Sequence, residues 1–177
     1  MNDSDDILLV RQCLEGNRKA FEAVVDKYQK PLFNVAFRLL ENFNDAEDVT
    51  QAVFIKAFEK LHTYSSNYKL FSWLYRITVN ESLNYLKAQR PGDALNENVV
   101  SKDGTPEKTY YENELHKNVK EALAKLTREY RIVIILKHFQ ELSYEEISQV
   151  LDIPTKTVKS RLFTARQQLK EILIKQT

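Results

Sequence analysis

The stretch SYEEISQVLDIPTKTVKSRLFTARQQLK, residues 143–170, carries the clearest structural signal in the chain. Ser143 followed three residues later by Glu146 forms a capping box, which marks the start of a short helix. The sequence Asp152-Ile153-Pro154 ends that helix, and Thr155 is placed to cap a second one. Apolar residues recur at steps of four and three along the second helix: Val158, Leu162, Ala165, Leu169 and Ile172. Two helices joined by so tight a turn predict a helix-turn-helix.

The opposite face of the second helix is polar and basic. Six of its side chains could reach phosphates or base edges in a major groove. They are Lys156, Lys159, Ser160, Phe163, Thr164 and Arg166. Residues 154–177 contain six basic residues and one acidic residue. A solvated basic face on a helical hairpin is the alternative, but the turn, the capping box and the local charge together favour DNA binding.

Charge along the whole chain alternates in blocks. The net charge is only +1, which taken alone argues against a nucleic-acid-binding protein. Divided by segment, it is −4 over residues 41–59, +4 over 60–90, −4 over 91–114 and +5 over 154–177. Such blocks predict more than one partner surface.

Composition limits the fold class. A chain of 177 residues allows one ordinary domain or two small ones. Three Gly and four Pro leave little material for tight turns, which argues against a sandwich or a barrel. Gly, Pro and acidic residues concentrate between residues 91 and 113. We predict an all-α protein of two small helical domains, 1–90 and 114–177, joined by a flexible acidic linker at 91–113, with the helix-turn-helix in the second domain.

Caps and apolar spacing predict the individual helices. Ser4 can cap a first helix that ends near Gly16, and Asn17 can cap a second, which Pro31 should kink or divide. The β-branched run at 132–136 could be a buried strand, but the helix formers around it favour a buried helix. Further helices are expected at about 45–61, 71–88, 114–126, 128–140, 143–151 and 155–174.

Two more segments have functional potential. Asn44 followed by Glu47 resembles a capping box and would start an acidic helix near Asp45. The helix at 71–88 has one polar stripe, formed by Arg76, Asn80, Asn84 and Lys87, which could bond base edges and phosphates. The loop before it could stack an unpaired base, and its candidate residues are Tyr64, Ser65, Asn67, Tyr68 and Lys69. Trp73, in the same helix, is more typical of a core.

These segments together resemble a known family. The motifs DAEDVTQAVF (45–54), FSWLYRITVN (71–80), LSYEEI (142–147) and TVKSRL (157–162) resemble extracytoplasmic-function (ECF) sigma factors of bacterial RNA polymerase, in the family's order and spacing. The resemblance covers nearly the whole chain. It implies a protein that binds core RNA polymerase and directs it to promoter DNA.

The resemblance also implies residue roles. The acidic helix would bind the polymerase clamp through Asp45, Asp48 and Gln51; many members carry Glu where this chain has Ala52. The loop and the polar stripe would capture the melted −10 element. The basic helix face would read the duplex −35 element, where many relatives carry Arg at the position of Thr164. The linker would thread toward the RNA exit path, and an anti-sigma factor is the expected regulator.

Other functions fit less of the sequence. A conventional helix-turn-helix regulator explains residues 114–177 but leaves the acidic helix and the aromatic loop without a role. An enzyme is not expected, because His62, His116, His138 and Cys13 lack metal-ligand spacing and no phosphate loop is present. We therefore expect no metal and no cofactor. The start MNDSDD lacks the features of a signal peptide, so we expect a cytoplasmic protein without membrane insertion.

Overall fold

The computed structural model describes residues 3–89 and 117–175, and both ranges are helical. The helices are α1 (Asp3–Leu14), α2 (Arg18–Leu40), α3 (Phe43–Lys60), α4 (Leu70–Ala88), α5 (Lys117–Ala124), α6 (Arg128–Ile134), α7 (Tyr144–Leu151) and α8 (Thr155–Ile174). A 3-10 turn, Leu61–Thr63, follows α3, and a π turn, Ile135–Phe139, continues α6. The predicted linker at 91–113 lies outside the described residues. The all-α prediction is confirmed.

Helices α1 to α4 form an N-terminal unit in which α2, α3 and α4 pack against one another. The largest side chains at its centre are fully buried and include Tyr28, Leu32, Leu70 and Leu74. Polar contacts add to this packing at the edges. The Tyr28 hydroxyl donates a 2.6 Å hydrogen bond to Asp6, which fixes α1 on α2, and Lys56 on α3 forms an ion pair with Glu81 on α4.

Helix α2 shows how packing overrides a local signal. Asn17 caps it as predicted, accepting a hydrogen bond from the Lys19 amide at 3.1 Å. Pro31 was expected to kink or divide it, but α2 runs through Pro31 to Leu40 undivided. Proline costs one backbone hydrogen bond. The buried neighbours Tyr28 and Leu32 hold the two halves in one core, which offsets that loss.

Three predicted caps are wrong: Ser4 for α1, Asn44 for α3 and Thr155 for α8. Ser4 lies within α1 rather than before it. Helix α3 is capped by Asn42, whose side chain accepts from the Asp45 amide at 3.2 Å, and not by Asn44. Phe43 is thereby the first helical residue, and its ring packs on Phe33 at 5.1 Å between centroids. Apolar packing therefore decides where α3 begins.

Helix α8 begins at Thr155, so Thr155 is its first residue and not its cap. Pro154 holds the cap position without a side-chain hydrogen bond. Proline at a helix start loses little, because the first amides of a helix have no partner within it.

Helices α5 to α8 form the C-terminal unit. Residues 132–136 are all buried and helical, which confirms the buried helix rather than a strand. The capping box of α7 is present in both directions between Ser143 and Glu146. Helix α7 ends at Leu151, and the backbone of the cap residue Asp152 adopts the left-handed conformation with φ 55°. The turn then leads directly into α8, as the helix-turn-helix prediction requires.

The two units lie against each other. Helix α4 packs on α7, and the π turn packs on α2, so the buried apolar residues of both units form one continuous cluster. Among the described residues, no helix is long and apolar enough to cross a membrane.

Candidate nucleic-acid interface

The outward side of α8 is the first candidate surface. Val158, Leu162 and Ala165 are buried against the rest of the C-terminal unit. Five of the six predicted residues on the opposite side are exposed, and Thr164 is half-buried. We call these six residues the α8 front face: Lys156, Lys159, Ser160, Phe163, Thr164 and Arg166. Phe163 is 67% exposed, which is unusual for a large aromatic side chain without a bound partner.

Several contacts fix the orientation of α8. Ser148 donates a 2.6 Å hydrogen bond to the Ile153 carbonyl and closes the turn before the helix. Lys159 lies over the Tyr144 ring of α7 at 5.6 Å. Arg161 pairs with Glu129 of α6 at 2.9 Å and so serves packing rather than the front face. The front face is therefore held on a rigid base.

Arg166 contacts one further side chain, His138 of the π turn. Its Nε lies 3.4 Å from Nε2 of His138. Burial, and next the positive charges of Arg166 and Lys137, lower the pKa of His138. A neutral imidazole can accept the hydrogen bond from Arg166, so this contact orients the guanidinium without neutralising it.

The second candidate surface joins the loop after α3 to one side of α4. On α4, the predicted stripe of Arg76, Asn80, Asn84 and Lys87 is exposed along its whole length. In the loop, Ser65, Asn67, Tyr68 and Lys69 are exposed. With Tyr64, these residues make up what we call the loop–α4 surface.

Tyr64 has a supporting role within that surface. It is half-buried, its ring packs on Trp73 at 5.6 Å, and its hydroxyl donates to the Tyr68 carbonyl at 2.6 Å. This bond closes the loop and leaves Tyr68 53% exposed as an aromatic face. Trp73 itself packs against the core, as its sequence context predicts.

The loop–α4 surface faces α7 across a cleft of about 500 Å³. Tyr64, Trp73 and Arg76 line one wall, and Gln149 and Asp152 line the other. Sequence reasoning placed the two DNA-binding surfaces in separate domains and missed this juxtaposition. The only local signal for it is a set of acidic residues in α7 and its turn, within an otherwise basic helix-turn-helix.

Two cations of the loop–α4 surface are paired across the cleft. Arg76 Nη2 lies 2.8 Å from Asp152 Oδ2, and Lys69 Nζ lies 3.0 Å from Glu146 Oε1. Asn80, Asn84 and Lys87 lie further along α4 and are exposed. The structure therefore brings the predicted residues together, and Lys69 and Arg76 at one end of the surface are ion-paired with the C-terminal unit while still exposed.

The acidic face of α3 is the third candidate surface. Asp48 and Gln51 are exposed, whereas Asp45 is half-buried and accepts a 2.7 Å hydrogen bond from the Tyr85 hydroxyl. That hydrogen bond, and next burial, raise the pKa of Tyr85. Asp45 therefore also serves to fasten α3 to α4.

An apolar extension of the α3 face was not predicted. Ile55 and Phe58 are 62% and 58% exposed, and the Phe58 ring meets Phe21 at 5.0 Å. Ile55 lies one helical turn beyond Gln51, so the acidic face continues into an apolar one. The helical period points to Ile55 from the sequence, but its exposure depends on how α3 packs.

Within residues 3–89 and 117–175, no three His, Cys, Asp or Glu side chains are grouped so that they could hold a metal ion. Cys13 is half-buried, and burial raises the pKa of its thiol, which favours the unreactive protonated form.

Comparison with known proteins identifies the family. The Sigma-70 region 2 family matches residues 24–91, and the Sigma-70 region 4 family matches residues 116–169. The ECF RNA polymerase sigma factor SigW of Bacillus subtilis is 32% identical over 93% of this chain and 94% of its own length. The ECF RNA polymerase sigma-E factor of Escherichia coli is 35% identical over 92% of this chain and 91% of its own length.

The chain belongs to the ECF RNA polymerase sigma factors. As a member of this family it is a transcription initiation factor that recognises promoters together with core RNA polymerase. A conventional helix-turn-helix regulator is not favoured, because such a protein would leave the region 2 match unexplained.

Solved structures agree with this fold. CnrH, solved in complex with the cytosolic domain of CnrY, matches with a TM-score of 0.76 and 24% identity over 98% of this chain and 99% of its own. The sigma factor RpoE of Bartonella quintana, solved with the anti-sigma factor NepR, matches with a TM-score of 0.67 and 23% identity over 88% of this chain and 97% of its own. At these identities the structural similarity is evidence for the fold of this chain alone, and that fold agrees with the family.

Proposed function

We propose that this ECF sigma factor divides promoter recognition and polymerase binding among the three surfaces described above. The α8 front face reads the −35 duplex, the loop–α4 surface captures the melted −10 strand, and the α3 face binds core polymerase. Residues 1–90 would then form the −10 and polymerase-binding domain, and residues 114–177 the −35 domain. The observation that carries the proposal is the exposure of polar and basic residues on two separate surfaces, each backed by a buried apolar stripe.

On the α8 front face, cations surround a small reading patch. Lys156, Lys159 and Arg166 can neutralise phosphates, and the N-terminus of α8 adds a favourable dipole for the same groups. Ser160 can bond a base edge, and the exposed ring of Phe163 can contact a thymine methyl group. Thr164, half-buried beside them, offers a short side chain where a longer cation would reach another phosphate.

On the loop–α4 surface, amides and an aromatic face suit single-stranded DNA. Asn80 and Asn84 each offer a donor and an acceptor to an unpaired base. Tyr68 offers a stacking face, and stacking a base contributes roughly 1–3 kcal/mol. Extracting that base from the duplex costs a few kcal/mol. The free energy gained by stacking the base therefore nearly equals the cost of extracting it from the duplex. Core polymerase must supply the remaining free energy for melting.

On the α3 face, Asp48 and Gln51 would contact core polymerase directly, and Asp45 would share its carboxylate between the partner and Tyr85. CnrH was solved with the cytosolic domain of CnrY, and RpoE of Bartonella quintana was solved with the anti-sigma factor NepR. We propose an anti-sigma factor for this chain as well. A protein with these partners acts in the cytoplasm, without enzymatic activity, metal or cofactor.

Reconstitution tests this function. The full chain is combined with bacterial core RNA polymerase, and transcription is measured on a library of genomic fragments. We expect transcripts that start downstream of shared −35 and −10 elements and that disappear when the sigma factor is omitted. Absence of any sigma-dependent transcript, with a control sigma factor active on the same core, contradicts the proposal.

A further inference from the structure

His138 of the π turn is an exposed histidine beside the α8 front face, and it belongs to none of the three surfaces. Nε and Nη2 of Arg166 both lie 3.4 Å from its Nε2, so one edge of the guanidinium faces a single ring nitrogen. That edge can bind two oxygens of a phosphate. We propose that His138 is a phosphate-binding residue of the −35 surface, which takes up a proton from solvent as duplex DNA docks and then shares one backbone phosphate with Arg166. The inference rests on the proposed role of the α8 front face.

The contact between Arg166 and His138 is easily exchanged for contacts with a phosphate. Its two distances of 3.4 Å exceed the usual N–H donor distance of about 2.9 Å, and both side chains are exposed. Replacing so long a bond in contact with water costs little. A protonated ring would donate from Nε2, and Arg166 would donate from Nε and Nη2, so one phosphate could receive three charge-assisted hydrogen bonds.

Positive charge gathers around this pair of side chains. Lys137 precedes His138 in the π turn, and Lys159 belongs to the α8 front face. Both lysines lie over the Tyr144 ring, at 5.0 and 5.6 Å from its centroid. In the part of the chain that the structure describes, none of Lys137, Lys159 and Arg166 forms an ion pair with an acid. Cations grouped in this way attract an anion to the end of the front face that His138 borders.

The same cations keep His138 neutral before DNA binds. Burial, and next the charges of Arg166 and Lys137, lower the pKa of His138. Charged or titratable groups of the other elements that pack on the π turn contact other partners: Arg38 of α2 the Phe139 ring, Tyr144 of α7 the Lys137 ammonium, and Arg131 of α6 the Glu41 carboxylate. A backbone phosphate beside the ring would favour its charged form and so raise the pKa of His138.

The direction of the pH dependence follows from this proton. A group that gains a proton on binding makes binding tighter as the pH falls. At about pH 7.5 the ring of His138 is neutral in the free protein, and charging it uses part of the binding free energy. Once the pH falls below the lowered pKa of the free protein, the ring is charged before DNA arrives and the affinity stops rising.

The test measures binding of a fluorescein-labelled, mixed-sequence DNA duplex to the full chain at about pH 7.5 and about pH 5.5, each over a range of salt concentrations. A mixed sequence suffices because a phosphate contact does not read bases. His138→Gln offers an acceptor to Arg166 but takes up no proton, and His138→Arg carries a permanent charge. The control is His62→Gln, at an exposed histidine of the 3-10 turn. Circular dichroism checks that each variant is folded.

Wild type and His62→Gln should gain about two- to fivefold more affinity between the two pH values than His138→Gln gains, as expected for one exposed ion pair. Their plot of log affinity against log salt should become steeper by about 0.9 at the lower pH, because one more phosphate is neutralised. His138→Gln should keep one slope at both pH values, and His138→Arg should show the steeper slope at both. A wild-type slope that does not change with pH overturns the proposal, and so does a wild-type pH response in His138→Gln.

Nuclear magnetic resonance of the imidazole C–H groups follows the proton directly. The chain has three histidines, and the signal missing from His138→Gln identifies His138. We expect the duplex to raise the pKa of His138 more than that of His62. An equal rise at both histidines reflects a general effect of nearby DNA and overturns the proposal. Inorganic phosphate at the same phosphate concentration should raise the pKa of His138 less than the duplex does, and an equal rise rejects duplex DNA as the ligand.

Lys159→Glu separates failure of this inference from failure of the proposed function. If Lys159→Glu leaves duplex affinity unchanged, the α8 front face does not bind DNA, and both the proposed function and the inference are wrong. If Lys159→Glu weakens binding while His138→Gln retains the wild-type pH and salt responses, the −35 role of α8 stands and only the phosphate site at His138 is rejected.

Discussion

The Tyr85 hydroxyl donates a 2.7 Å hydrogen bond to Asp45 Oδ1 and joins α4 to the start of α3. An acid of the proposed polymerase-binding face is thereby held in place by the helix that carries the proposed −10 surface. The two surfaces thus share a structural support. Mutations at this pair should act on stability as well as on binding.

Tyr85→Phe removes the donor and leaves the half-buried carboxylate of Asp45 with one partner fewer. We expect the free energy of unfolding to fall by roughly 1 kcal/mol, the usual net contribution of such a hydrogen bond. Urea denaturation at neutral pH measures the change. Asp48→Asn, at an exposed position of the same helix, is the control and should leave the free energy of unfolding unchanged within about 0.5 kcal/mol. An unchanged Tyr85→Phe protein would show that the bond contributes nothing.

Reversing one charge on each of two surfaces should separate the two binding functions. Asp48→Lys places a cation on the acidic α3 face, and we expect the dissociation constant for core polymerase to rise about tenfold while duplex binding persists. Lys159→Glu should do the opposite, because it removes a phosphate contact and puts an anion in its place. Pull-down with core polymerase and fluorescence anisotropy with −35 duplex DNA measure the two effects. If both variants lose only thermal stability, the assignment of both surfaces is wrong.

Local signals predict the helix-turn-helix well. A capping box from Ser143 to Glu146 and an apolar stripe at helical spacing depend on residues close together in the chain, and both are present in the structure. The start of α3 is less predictable. Asn42 and Asn44 are both good caps, and the structure uses Asn42, next to Phe43, which packs on Phe33.

Contacts between distant segments could not be predicted. Lys69 and Glu146 are 77 residues apart, and nothing in the sequence near either residue indicates the other. The exposure of Ile55 could not be predicted either, because it depends on how α3 packs against its neighbours. The π turn at Ile135–Phe139 also escapes periodicity, because its extra residue shifts the helical spacing only once.

Glu146 should make stability depend on acidic pH. Burial alone would raise its pKa, but hydrogen bonds from Ser143 and the charge of Lys69 lower the pKa on balance below the ordinary 4.5. A carboxyl whose pKa is lowered by folding stabilises the protein above its unfolded pKa, and that contribution is lost as the pH falls through the folded value. We expect wild type to exceed Glu146→Gln in unfolding free energy at pH 7, with the difference shrinking below about pH 4.5. Urea denaturation at both pH values tests this, and a difference that grows in acid contradicts the direction of the shift.

Asn80→Ala should alter −10 recognition specifically. The side chain is exposed in the middle of the α4 stripe and offers a donor and an acceptor to an unpaired base. Its loss should reduce transcription by about tenfold on promoters with the preferred −10 base and less on promoters that carry another base there, because a side chain paired with one base typically discriminates by roughly 1–3 kcal/mol. Ser160→Ala is the matched control, since it removes a polar group from the α8 front face and should change the −35 preference instead. The measurement is transcription by reconstituted holoenzyme on a promoter library varied at both elements. Equal effects of Asn80→Ala at the two elements would reject its place in −10 recognition, because α4 and α8 present separate surfaces to the DNA.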